Sequence, residues 1–194
     1  HNLEAEDCLV GAPSERGELD SVLVPRLPGG ASLGSGMPYA LMHVRAGAAA
    51  GICRFYEFLF DAKTELMRVP DATEASGATE ACVVKIGAEQ AFIFQETSWY
   101  DSAEHYDGHH VAIYINEFVE TYMRAKERDW VWNNPRFSYL TYDSLDDALR
   151  FGEFRVIDII DPLNGEALHR LEHEVRSLDH PGFSCKALLV EQAD

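Results

Sequence analysis

The order of elements predicts an α+β fold of two βαβββ modules, forming a cupped mixed sheet around a central cavity. Three observations carry this. A strand-helix-strand order occurs twice, beginning at Tyr39 and again at His109. Each helix has a single apolar stripe, which must cover a sheet. Each leading strand alternates, so one of its faces looks away from the helix.

In the first half, residues 39–45 (YALMHVR) read as a strand. Residues 48–60 follow as a helix, with Ile52, Phe55, Tyr56 and Leu59 at helical spacing. Residues 64–69 are a second strand and 70–79, small and polar, a loop. Residues 81–86 and 91–96 are two strands around the turn Gly87-Ala88-Glu89-Gln90. A polar linker occupies 97–108. The second half opens with a strand at 109–115. Asn116 is placed to cap a helix through Arg128, with Phe118, Val119, Tyr122 and Met123 on one face. A short strand is expected near Trp130–Trp132, then a short inserted helix at 143–150 capped by Asp143. Residues 154–160 form a strand. The turn Asp161-Pro162-Leu163-Asn164-Gly165 leads to a returning segment over 166–175.

Three regions result: an N-terminal arm (1–37), a two-module domain (38–177, modules at about 39–96 and 109–175) and a tail (178–194). The arm holds Pro25, Pro28, Gly29, Gly30, Gly34 and Gly36, and its apolar run 22–24 can add an edge strand. Within it Gly30-Ala31-Ser32-Leu33-Gly34 matches a nucleophile-elbow pattern. The surrounding Gly and Pro residues let no helix start there, so the match lacks its required strand-to-helix context.

Composition narrows the function. Net charge is −17, with 33 acidic residues against 16 basic, which disfavours nucleic acid and anionic membrane surfaces as partners. No apolar run nears the ~20 residues of a membrane-spanning helix. Cys8, Cys53, Cys82 and Cys185 form no CxxC pair, excluding a zinc ribbon or a thioredoxin-type motif. Four cysteines can make two disulfides in three connectivities; the simpler reading is four free thiols, with Cys53 and Cys82 buried. The chain begins at His1 rather than Met, which fits a removed leader and slightly favours a secreted over a cytoplasmic location.

Strand parity selects the candidate residues. Tyr39, Leu41, His43 and Arg45 share one face of the first strand, and His110, Ala112 and Tyr114 share one face of its counterpart. If Val111, Ile113 and Ile115 pack on the helix, His43 and His110 both look into the cavity at equivalent places. Two imidazoles there are a start on a divalent metal site.

With His43 ahead of Phe55-Tyr56-Glu57-Phe58-Leu59, the run Gly108-His109-His110-Val111-Ala112-Ile113 and the Asp161–Gly165 turn, the chain from about Tyr39 to Arg176 resembles the vicinal-oxygen-chelate superfamily of glyoxalases, bleomycin-resistance proteins and extradiol dioxygenases. That resemblance implies one divalent metal ion (Fe, Zn, Mn or Ni) held by His43, His110 and a last-strand carboxylate. Where the family pattern has that carboxylate this chain has Leu168. A turn insertion moves the ligand to Glu172, preferred on charge, or to His169. Glu96 is the carboxylate offered by the last strand of the first half, with Gln95 facing the other way. Glu96 and Glu172 are the candidates for proton movement. The implied function is a metal-dependent isomerase, lyase or dioxygenase acting on a small bidentate oxygen-bearing substrate. The alternative is a non-catalytic small-ligand-binding member. A homodimer is compatible with either.

Simpler roles exist for the same residues. A strand His often serves a structural hydrogen bond. Residues 170–174 (RLEHE) can be a solvated face or a helix, and His105 and His109 border the linker. The acidic run Glu96, Asp101, Glu104 and Asp107 lacks the spacing of a calcium loop. Trp99, Tyr100, Trp130 and Trp132 can line a pocket or fill a core.

Overall fold

The computed structural model describes residues 10–11, 39–70, 77–86, 90–100 and 105–182. Its strands are β1 (Val10–Gly11), β2 (Tyr39–Arg45), β3 (Thr64–Pro70), β4 (Ala78–Lys85), β5 (Ala91–Thr97), β6 (His110–Ile115), β7 (Glu153–Ile160) and β8 (Ala167–Ser177). Its helices are α1 (Ala49–Phe60), α2 (Phe118–Glu127) and α3 (Leu145–Phe151). The fold is mixed α+β with two four-stranded sheets, ordered β2-β5-β4-β3 and β1-β6-β8-β7. In each, the leading strand runs parallel to the last one (β2 with β5, β6 with β8), and the remaining pairs are antiparallel.

The stripe read from the sequence is the buried face of α1: Ile52, Phe55, Tyr56 and Leu59 are all inaccessible. They meet Ala40, Val44, Cys82, Val84, Phe92 and Phe94 from the first sheet. Register explains the set, because Ala40 pairs with Phe92 and Met42 with Phe94, so these residues share a face. The second sheet turns Val111, Ile113, Ile115, Phe154, Val156, Leu171 and Val175 into the same core, against Phe118 and Tyr122 of α2. At ~1.5–3 kcal/mol per large apolar side chain, this shared core is the main force joining the halves.

Specific contacts then fix their relative position. A Cβ at Gly51 would lie 2.5 Å from Leu168 Cδ1 and 3.1 Å from Asp161 Oδ2, so a larger residue there requires the Leu168 side chain to move. Arg54 donates to Asp161 through Nε (2.9 Å) and Nη2 (2.6 Å). That pairing, ahead of opposing burial, holds the Asp161 carboxyl below its usual range. The Tyr56 hydroxyl and His173 Nε2 share a hydrogen bond of 2.7 Å.

Several expectations are corrected. The second half has no strand near Trp130. Trp130 packs instead on Phe55 and Phe58, and the Trp132 amide donates one bond to the Arg155 carbonyl at the edge of β7. This half is therefore βααββ, since an aromatic anchor takes the chain out of the sheet after one bond. Asn116 does not cap α2; Glu117 holds that position without a side-chain bond. Ser144, not Asp143, caps α3 through a reciprocal box with Asp147. Residues 170–174 are neither helical nor a solvated face: they belong to β8, and Glu172, His173 and Glu174 are buried. Cys53 and Cys82 are not free thiols, because a disulfide joins them, tying α1 to β4. An edge strand from the arm is present at Val10–Gly11, on β6. The apolar run 22–24, the Ser32 motif, Cys8 and Cys185 lie outside the described residues.

Candidate functional site

Each sheet has one face turned away from the helices, and the two faces differ. On the first sheet this face carries Tyr39, Leu41, His43 and Arg45 beside Ile93 and Gln95, because Leu41 pairs with Ile93 and His43 with Gln95. Ala81, Val83 and Met67 continue it through β4 and β3. The surface is largely apolar and partly open. His43 packs against the Trp99 ring at 5.1 Å between centroids, and its buried Nδ1 has no hydrogen-bond partner.

The same register places Glu96 with Val44, on the helix side. Its Oε1 accepts the backbone N–H of Ala49 at 2.9 Å. Glu96 thus satisfies one of the free amides at the start of α1, with its charge at the positive end of the helix dipole. It does not share a face with His43.

On the second sheet the corresponding face is charged yet buried. His110 pairs with Glu172, Ala112 with Glu174 and Tyr114 with Arg176. β7 adds Glu153, opposite Arg176, and Arg155, opposite Glu174. Arg155 is 6% exposed and Glu172 4%. Arg155 is paired with Glu172 through Nη1 and with Glu174 through Nη2, and lies 3.4 Å from Glu153. Arg176 Nη2 donates to Glu174 at 2.6 Å, and its Nη1 to the Tyr114 hydroxyl at 3.0 Å. The Tyr142 hydroxyl donates to Glu153. Asn134 Nδ2 donates to Glu172 Oε1 at 3.3 Å. His180 Nε2 lies 3.4 Å from Glu153.

The electrostatics follow from this crowding. Burial alone would lower the Arg155 pKa, but Tyr142, Glu172, Glu174 and Glu153 outweigh it, and the guanidinium is held charged above its ordinary value. Burial, then Glu153, raises the Tyr142 phenol and keeps it neutral. Burial, then Arg176, lowers His180. Three carboxylates face two guanidiniums, leaving one negative charge on a covered face. Buried charge in such numbers is costly unless fully paired, and it clusters at functional sites.

The structure therefore brings His110 and Glu172 together as register partners, while His43 pairs with Gln95 on the helix-free face of the other sheet. Among the described residues, no three His, Cys, Asp or Glu side chains are gathered to hold a metal ion. Glu172 Oε1 already accepts from Arg155 and Asn134. His169 lies on the helix side instead, against Phe94 and Tyr100. The β7–β8 register shifts twice along this stretch, between Val156 and Asp158 and between Ile159 and Ile160.

Arg155, Glu153, Glu174, Arg176, Tyr142 and Asn134 were not among the residues singled out from sequence. A signal for four of them was there. Glu153-x-Arg155 and Glu172-x-Glu174-x-Arg176 place charge at every second residue between apolar Phe154, Val156, Leu171 and Val175. That spacing marks one strand face.

Comparison with known proteins adds little beyond this. No family model matches the chain, and no curated protein matches it by sequence. By structure the chain is similar to a crystal structure of a mutant of the genomically encoded fosfomycin resistance protein FosX from Listeria monocytogenes, complexed with Mn(II) and dihydroxypropylphosphonic acid. The TM-score is 0.43 and the identity 12%, over 75% of this chain and 93% of that one. At that distance the likeness carries no argument about activity.

Proposed function

We propose that this chain is a small-ligand-binding protein of the vicinal-oxygen-chelate type, taking a small oxygen-bearing ligand on the helix-free face of its second sheet. The observation that carries this reading is the buried Arg155–Glu172–Glu174–Glu153–Arg176 network. A sheet face meant only for packing would be apolar, as the opposite face of the same strands is. The excess negative charge favours a neutral or cationic ligand over an anion. Hydroxyl or carbonyl oxygens on the ligand suit the donors Arg155, Asn134 and Tyr142.

A metal-dependent enzyme is the second reading, favoured by the placement of His110 beside Glu172. A divalent ion bound there would supply Lewis-acid polarisation of a substrate oxygen. As placed, however, the donors do not fit it. Arg155 puts a fixed positive charge on the carboxylate the ion would need.

The two readings part experimentally. Protein purified without chelators is analysed for metal content and by native mass spectrometry. The binding reading expects a retained organic mass that is lost in Arg155→Met. The enzyme reading expects a stoichiometric metal lost in both His110→Ala and Glu172→Gln. If neither species depends on these residues, the helix-free face is not the site.

A further inference from the structure

A separate cluster lies on the helix side of the sheets, where the linker joins the halves. His169 is 3% exposed, and neither ring nitrogen has a hydrogen-bond partner. An unpaired buried polar group costs ~1–3 kcal/mol, so this ring is poised to receive a bond. Its neighbours are Phe94 (centroids 6.0 Å), Tyr100 (5.6 Å) and His109 (6.5 Å). His109 is oriented from behind. Its Nδ1 donates to Asp107 Oδ1 at 2.8 Å, and the same oxygen accepts the His109 amide at 3.0 Å. A histidine donating Nδ1–H to a carboxylate keeps its Nε2 lone pair available, the arrangement that prepares imidazoles for metal ions.

We propose that His109 and His169 form a binding site for one transition-metal ion of the zinc, cobalt, nickel or copper(II) class. Neutral imidazoles suit these ions. The ring centroids stand 6.5 Å apart, and an ion bonded at ~2.0–2.1 Å to one nitrogen of each draws the rings together by about an ångström. Asp107 supplies a compensating negative charge, and the partly exposed rim at His109 lets water complete the shell. The site is distinct from the charged face. His169 pairs with Ile159 on the helix side, and His109 precedes β6 on the side opposite His110. Burial lowers the His169 pKa to about 3, which keeps the ring neutral and able to ligate. The proposal is independent of the binding reading above.

The test uses the whole chain, stripped with chelator and titrated with Co(II) alone, following the visible d–d bands, with Zn(II) as competitor. One equivalent is expected. Asp107→Asn should weaken binding by about 10–100-fold. His109→Gln and His169→Gln should weaken it by at least as much. Because His169→Gln disturbs a buried core position, the rim variant His109→Gln carries the decision, with circular dichroism as its control. Copper(II) hyperfine structure should report two imidazole nitrogens in the parent and one in His109→Gln. An ion unaffected by His109→Gln but lost in His110→Gln or Glu172→Gln belongs to the charged face and overturns the proposal. So does the absence of any binding.

Discussion

The helix-free faces of the two sheets have opposite chemistry. In the first half the face carries Leu41, Ile93, Val83 and Met67, with Met67 39% exposed and Trp99 51% exposed beside it. In the second half it carries Glu153, Arg155, Glu172, Glu174 and Arg176, all but Arg176 nearly inaccessible. The apolar face is open to water at its Met67 edge, and the charged one is covered. The difference follows from what lies above each face. Asn134, Phe137 and Tyr142 fold back over the second sheet because the chain leaves β7 after the Trp132 bond. A lost strand thus becomes a lid, and the residues beneath it must pair with one another.

The largest expected effect tests that pairing. Arg155→Met takes the guanidinium away from Glu172 and leaves Glu153 and Glu174 to Arg176, and should cost about 3–5 kcal/mol in chemical denaturation. A loss under about 1 kcal/mol would mean that the face is more hydrated than its burial indicates.

Next comes the brace of the first half. Cys53→Ser, or reduction of the parent, removes a cross-link over 29 residues of chain and should cost about 3–4 kcal/mol on the loop-entropy account. Unchanged stability on reduction would place the hold on α1 in packing alone.

A smaller, pH-dependent effect belongs to the seam between the halves. Burial pushes His173 down to about 4 from an ordinary 6.5. The folded state keeps this ring neutral while the unfolded chain protonates it. The contribution is therefore complete above about pH 6.5 and is lost as pH falls toward 4, at about 1.4 kcal/mol per pH unit. Thermal melts from pH 7 to pH 4.5 should show a shallower slope in His173→Gln than in the parent.

The smallest effect is expected on the open face. Met67→Gln should change stability by no more than about 0.5 kcal/mol. A larger loss that grows with protein concentration would show that a second copy covers this face.

Much of the framework was legible in the residues themselves. The α1 stripe Ile52-Phe55-Tyr56-Leu59, the alternation of β2 and β6 and the Asp161–Gly165 turn are local patterns, and local patterns are set by backbone periodicity and turn chemistry. They placed His43 and His110 on the faces away from the helices.

Other features lay beyond such patterns. The alternation of β5 put Glu96 with Phe94, yet its bond to the Ala49 amide depends on where α1 begins in space. Glu172 stood in a run, RLEHE, that reads equally as a helix or a solvated strand. Only pairing with β6 and β7 shows that it is buried beside Arg155. The strand expected at Trp130 had the right composition, but its ring gains more against Phe55 and Phe58 than the backbone gains in a ladder. Periodicity tells which residues share a face; only the packed chain decides what covers that face. Burial, pairing and the Cys53–Cys82 bond all follow from contacts between residues far apart along the chain, whose energies no local spacing encodes.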